Sequence, residues 1–358
     1  MSRDLKIFLM VLILVLIVGG SAAAVYFLLN SSTDKVLARA DEKYKFGDVT
    51  DIKAGIELYS GVISDKQTPR DAVVRAMASS AEGYILLWQR TKDYSKLDIA
   101  QAKLKELINT YPDSIEAKKS YLQIARINFL QGNYDTALTE LDNVLTKSTD
   151  PYIVTEAYNQ KADIYSAIGD NEKAVYYYSR KENMNSDYAT LGRAKAFIKM
   201  GETGKALGVY EDFMKYNPAS PLVKDVEKAW LETAYNFAFN LYNAKDYRMA
   251  IQYFDRIVVL FPGSQKAENA LYWIGEAYYD RKDFANAVES FEKVLDNRSS
   301  AAKDPDALLK LGMISFEQSD YPLALKYFEN LIDNYSDSRL VPKALSWKEQ
   351  TIREIRYQ

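Results

Sequence analysis

The feature that most restricts this chain is a self-repeat with a period of 37 residues toward its C-terminal end. The stretch Ala270–Leu295 reads ALYWIGEAYYDRKDFANAVESFEKVL, and Ala307–Ile332 reads ALLKLGMISFEQSDYPLALKYFENLI. In register, Gly275 matches Gly312, Phe284 matches Tyr321, Ala287 matches Ala324 and Phe291 matches Phe328. One step earlier stand Tyr247, Ala250 and Phe254, closed by Phe261-Pro262-Gly263. Each copy reads as an apolar helix of about three turns, a short polar turn and a second, amphipathic helix. A single helix pair cannot bury its apolar face alone, so neighbouring copies must stack to supply a core.

Each slot of the repeat has a physical role. A small residue in the first helix (Ala238, Gly275, Gly312) lets its partner helix approach closely. An aromatic opening the second helix (Tyr247, Phe284, Tyr321) covers the gap between the two. The Ala four residues before the next aromatic sits where the helices touch. Pro112, Pro218 and Pro262 end second helices, because proline lacks the amide donor and clashes with the preceding turn. Weaker copies lie upstream, marked by Gly132, Tyr134 and Ala137; by Tyr158, Tyr165, Gly169 and Ala174; and by Phe197, Gly201, Ala206 and Tyr210. Helix pairs at 35–66 and 70–112 fit more loosely, the latter with an extended turn near Lys92–Lys96. That makes about eight units across residues 34–337, followed by an amphipathic capping helix at Val341–Arg356.

These small, aromatic and proline slots resemble the tetratricopeptide repeat. The resemblance implies an all-α, right-handed superhelical solenoid of about eight helix pairs with a C-terminal capping helix. It also implies a protein that binds other proteins. The organisation expected is a segment 1–33 that anchors the chain, tetratricopeptide-like repeats at 34–225, and clearer repeats plus the cap at 226–358. The wording of the last repeats, in YWIGEAYY and FEKVL, is similar to the C-terminal domain of the Tol–Pal coordinator family. It is similar also to the lipoprotein-subunit family of the outer-membrane β-barrel assembly machine. Both resemblances imply a periplasmic setting, although neither family has this anchor or so many repeats.

From Ile7 to Leu29 run 23 residues without a charge. As one helix, at about 1.5 Å per residue, that run spans a bilayer core of roughly 30 Å. A signal peptide is the competing reading, with Arg3 and Lys6 as its basic start and Ala22-Ala23-Ala24 as a cleavage site. The apolar run continues through Val25, Tyr26, Phe27, Leu28 and Leu29, which favours an uncleaved transmembrane helix. Lys35, Arg39, Lys43 and Lys45 follow closely, so the distribution of basic residues is ambiguous about orientation. A short basic tail before an apolar run reads as an export signal, which puts the solenoid in the periplasm.

The chain has no Cys and no His. Thiol nucleophiles, disulfides, thiolate metal sites and lipoprotein acylation are excluded, as are histidine bases, triads and ligands. With 46 basic and 49 acidic residues the net charge is −3, too balanced for a nucleic-acid binder. Paired carboxylates remain possible catalysts, but none form a constellation, so no enzyme, cofactor or metal is expected. A partner groove is expected on the first helices, where residues at i, i+4 and i+7 share a stripe. That stripe reads Tyr235, Phe239, Tyr242; then Tyr272, Glu276, Tyr279; then Leu309, Met313, Phe316. It suits an apolar or aromatic partner segment, the alternative being rings that pack between neighbouring first helices. Arg126, Lys195 and Lys199 place cations on the corresponding face upstream. The phosphate-loop-like run Gly201–Ala206 has the wrong spacing and reads as a turn between helices. The function expected is a protein-interaction scaffold tethered to the bacterial inner membrane, acting in a cell-envelope machine. The alternative is a periplasmic chaperone for exported proteins.

Overall fold

The computed structural model describes residues 33–45, 47–180, 186–296 and 302–357. Among these residues there are seventeen helices and no strand. Numbered in chain order they are α1 (33–45), α2 (Val49–Ser64), α3 (Arg70–Thr91), α4 (Ser95–Thr110), α5 (Ile115–Leu130) and α6 (Tyr134–Lys147). There follow α7 (Pro151–Ile168), α8 (Asn171–Tyr178), α9 (Asp187–Lys199), α10 (Thr203–Tyr216), α11 (Val223–Asn243) and α12 (Tyr247–Leu260). The last five are α13 (Gln265–Asp280), α14 (Phe284–Asp296), α15 (Asp304–Glu317), α16 (Tyr321–Asn334) and α17 (Val341–Tyr357). The described residues divide into two compact units, one ending at Gly192 and the other beginning at Arg193. Within each, short turns make consecutive helices antiparallel neighbours that pack in sequence order.

Local chemistry sets these boundaries. Aspartates at the start of second helices cap them: Asp246 accepts from the Met249 amide at 3.2 Å, Asp320 from Leu323 at 3.1 Å and Asp170 from Lys173 at 3.0 Å. Ser114 and Ser264 do the same for α5 and α13, at 3.1 Å each. Such caps satisfy amide donors that the helix itself leaves orphaned. From the α3–α4 pair onward, the turn inside each pair passes through the left-handed region. Gly132, Gly169 and Gly201 supply it upstream, whereas Lys245, Lys282 and Ser319 adopt it downstream with φ of 63°, 61° and 65°. Of the phosphate-loop-like run, Gly201 at φ 76° and Glu202 form such a turn between α9 and α10, whereas Thr203–Ala206 already open α10. Pro112, Pro218 and Pro262 each lie just past the end of a second helix.

The core runs along each stack. The alanines of the repeat, Ala137, Ala174, Ala206, Ala250, Ala287 and Ala324, are all fully buried. Phe254, Phe291 and Phe328 are likewise without exposed surface, each contributing about 2 kcal/mol by the usual transfer estimate. The small first-helix residue makes room for these rings: a Cβ on Gly275 would lie 2.6 Å from the Phe291 ring. Second helices wedge between two first helices, as α6 and α14 show. Phe291 and Val294 of α14 pack with Tyr272 of α13 and with Ala307, Leu311 and Ile314 of α15. Leu141 and Val144 of α6 pack with Leu122 and Ala125 of α5 and with Ile153, Ala157 and Ile164 of α7. At the C-terminal end α17 covers the last pair, its Trp347 stacked on Phe328 at 6.2 Å. No helix among the described residues is long and apolar enough to cross a membrane. The apolar run 7–29 lies outside them.

Candidate functional site

The stripe predicted to line a groove is tied together in the C-terminal unit. Trp273, one position off the stripe, fills the space between α11 and α13. Its Nε1 donates to Tyr235 Oη at 3.1 Å, and its ring lies 4.9 Å from Phe239 and 5.0 Å from Tyr242. Tyr242 also packs on the turn aromatic of its own repeat, Tyr247, at 5.5 Å, and donates to Asp280 at 2.8 Å. Tyr279 repeats that arrangement with Phe284 and Glu317, and Phe316 packs on Tyr321 and on Trp347. Tyr272 is buried in the core against Phe291 and offers no surface to a partner. Met313 packs, half-buried, against the Phe328 and Leu331 core. Glu276 forms an ion pair with Lys310 at 2.8 Å, and that ammonium lies 4.6 Å above the Tyr279 ring. Burial raises the Tyr242 and Tyr279 phenols, with the neighbouring carboxylates adding to it, so both stay protonated donors.

The same register, carried into the N-terminal unit, meets different residues. The stripe slots stand three before, one after and four after the small residue. Around Ala125 they hold Leu122, Arg126 and Phe129; around Ala162 they hold Asn159, Asp163 and Ser166. Here the first helices α5 and α7, with Tyr188 at the start of α9, enclose a cavity of about 630 Å³. Arg126, Phe129, Asn159, Gln160 and Asp163 line it, and Tyr152, 61% exposed, stands at its edge.

The polar groups of this cavity are unevenly satisfied. Asp163 is fully engaged, accepting from Tyr188 at 2.8 Å and from Tyr178 on its other oxygen. Burial and this carboxylate both raise the Tyr188 phenol, which therefore remains a donor locked toward Asp163. Gln160 donates to Glu156 at 3.2 Å. Asn159 is 5% exposed, yet among the described residues no donor reaches its Oδ1, nor Gln160 Oε1. A buried amide oxygen without a donor costs about 1–3 kcal/mol. Lys195 and Lys199 are exposed on α9 within the C-terminal unit. Among the described residues no three acidic side chains gather where they could hold a metal ion. The wall of this volume thus combines amide side chains, the exposed Arg126 guanidinium and the rings of Phe129, Tyr152 and Tyr188.

Asn159, Tyr188 and Trp273 lie outside the stripe that the sequence analysis assigns to the site. The repeat register points to Asn159, as a polar residue at a slot that holds Tyr235 and Tyr272 downstream. Nothing in the pattern marks Tyr188 or Trp273, whose positions depend on how consecutive helices tilt.

Comparison with known proteins follows the same lines. Models of the tetratricopeptide repeat match residues 235–302, 306–338 and 155–180. The chain is 24% identical over 145 residues to DnaJ homolog subfamily C member 3 of Gallus gallus, spanning 39% of this chain and 28% of that one. It is 30% identical over 146 residues to tetratricopeptide repeat protein 21B of Mus musculus, spanning 39% of this chain and 11% of that one. It thus covers less than a third of the length of either relative. Among solved structures, a tetratricopeptide repeat protein from Parabacteroides merdae aligns with a TM-score of 0.35 at 15% identity, covering 78% of this chain and 98% of that one. Sequence pattern, helix pairing and family match agree that residues 155–180, 235–302 and 306–338 are tetratricopeptide repeats.

Proposed function

We propose that this protein is a non-enzymatic scaffold that holds an extended segment of a partner protein in the α5–α7–α9 cavity. One observation carries the reading: Asn159, buried and with no donor to its amide oxygen among the described residues, is part of the wall of an open volume of about 630 Å³ on the first-helix face. An amide side chain offers a donor and an acceptor together, which matches the N–H and C=O of an extended peptide. Arg126 adds a cation for an acidic side chain of that segment, and Tyr152 an exposed ring at the edge. The corresponding stripe in the C-terminal unit packs its rings on neighbouring helices.

The test is photo-crosslinking in the native cell with a photoreactive amino acid at Tyr152, in wild type and in Asn159→Ala. One dominant protein adduct that disappears in Asn159→Ala is the expected result. An adduct indifferent to Asn159 removes the cavity from the mechanism, and a smear of many exported proteins replaces the scaffold by a chaperone.

The setting proposed is the bacterial inner membrane, with residues 7–29 as a single-pass anchor and the repeats in the periplasm, serving a cell-envelope assembly. The uncharged run of 23 residues and the wording of the last repeats support it. Protease added to spheroplasts is expected to digest the repeats; protection of the repeats would place them on the cytoplasmic side.

A further inference from the structure

The repeat also exposes an anomaly on its opposite, second-helix face. The last turn of α12 ends in Val259-Leu260, which are 69% and 45% exposed. In the two following copies, 37 residues apart, the same positions are Asp296-Asn297 and Asp333-Asn334. The repeat therefore needs no apolar side chains here for its core, yet this copy carries two. The preceding second helix, α10, likewise ends in Tyr216, 67% exposed, at the position that the Pro218 and Pro262 register equates with Leu260.

Beside Val259 and Leu260 opens a cavity of about 650 Å³ between α10, the start of α11 and α12. Its base is a closed electrostatic unit. Arg256 binds both oxygens of Glu211, and Glu211 also accepts from Trp230 Nε1 at 2.8 Å. With that pair cancelled, the remaining lining charges are the carboxylates of Glu227 and Asp255 against the single ammonium of Lys215. An apolar pair bordered by surplus negative charge is complementary to an apolar anchor flanked by basic residues.

From the Val259–Leu260 pair and the acidic border of this cavity, we infer a second docking surface, for a partner-protein segment with apolar side chains flanked by Lys or Arg. This goes beyond the α5–α7–α9 reading and rests on different residues.

The test uses the full chain and two fluorescein-labelled synthetic peptides of about 12 residues, one of alternating leucines and lysines and one of leucines and glutamates. Fluorescence anisotropy is expected to show saturable binding of the basic peptide only. Binding should fall about tenfold or more in Val259→Asp/Leu260→Asn, which restores the residues of the neighbouring copies. It should fall several-fold, with a shallower salt dependence, in Glu227→Gln/Asp255→Asn. Asn159→Ala should leave it unchanged, separating this surface from the other cavity. Both changed residues are exposed, and an unchanged melting temperature shows that the fold is intact. Equal binding of the acidic peptide, undiminished binding by Val259→Asp/Leu260→Asn, or no saturable binding to wild type overturns the inference. A wild-type dimer in sedimentation equilibrium that becomes a monomer in Val259→Asp/Leu260→Asn also overturns it, assigning the face to a second copy of the chain.

Discussion

Tyr242 donates a 2.8 Å hydrogen bond to Asp280, 38 residues along the chain, and one repeat later Tyr279 makes the same bond to Glu317. Both bonds join the last turns of consecutive first helices, where the backbone no longer offers i+4 partners. The tyrosine ring meanwhile packs on the aromatic that opens the second helix of its own repeat. One side chain thus fixes the angle within a helix pair and the spacing to the next pair. This is how a repeat without disulfides sets its geometry.

Removing the hydroxyl alone isolates the second of these roles. Tyr242→Phe keeps the ring against Trp273 and Tyr247 and deletes the bond to Asp280, for an expected loss of about 1 kcal/mol. Tyr242→Ala removes the ring as well and should cost about 3 kcal/mol. Urea unfolding followed by circular dichroism measures both. A Tyr242→Phe midpoint equal to wild type would mean that water replaces the bond without penalty.

Two glycines separate packing from helix propensity. At Gly275 an added Cβ would lie 2.6 Å from Phe291, a fully buried ring that cannot move aside, so Gly275→Ala should cost about 1–3 kcal/mol. At Gly208, inside α10, a Cβ would meet nothing within 4 Å. Gly208→Ala should therefore stabilise by about 0.5–1 kcal/mol, since alanine loses less backbone entropy. Opposite shifts in thermal midpoint are the expected outcome; two losses would show that α10 packs more closely than its surroundings imply.

Ser319 sits in the left-handed region at φ 65°, a conformation that Gly169 and Gly201 supply in earlier repeats. A Cβ is disfavoured there, and glycine is the usual residue just past a helix end. Ser319→Gly is expected to stabilise by about 0.5–1 kcal/mol, read as a higher urea midpoint with an unchanged slope. A lower midpoint would mean that the unfolded-state entropy of the added glycine outweighs the relief of strain.

How far the structure can be read from the sequence depends on the range of the interaction. The small, alanine, aromatic and proline slots are legible because each acts within one helix pair: Gly275 under Phe291, Ala287 at the contact, Pro262 after the last turn. The fate of the aromatic stripe is not, because Tyr235, Phe239 and Tyr242 are claimed by Trp273 of the next repeat, and a periodic pattern does not specify that tilt. The left-handed turns at Lys245, Lys282 and Ser319 carry no glycine to announce them. Arg126 is legible as a cation on the first-helix face, but its company, Asn159 and Tyr188, comes together only through the stacking of α5, α7 and α9.

The Glu276–Lys310 pair links α13 to α15 and gives the fold a pH dependence. Burial raises the Glu276 carboxyl above its ordinary value of 4.5, with the Lys310 ammonium pulling the other way and the rise prevailing. The folded chain therefore keeps this proton to a higher pH than the unfolded chain does. The group's contribution to stability is fully present below 4.5 and is lost as pH rises through the raised folded value. Glu276→Gln cannot titrate, so it lacks that loss, whatever constant penalty it carries for leaving Lys310 unpaired. Urea midpoints collected from acid to neutral pH should therefore shift in favour of the variant, relative to wild type, as pH rises above 4.5. Parallel curves would show that Lys310 cancels the burial of Glu276 completely, and a shift in favour of wild type would show that the ion pair more than repays it.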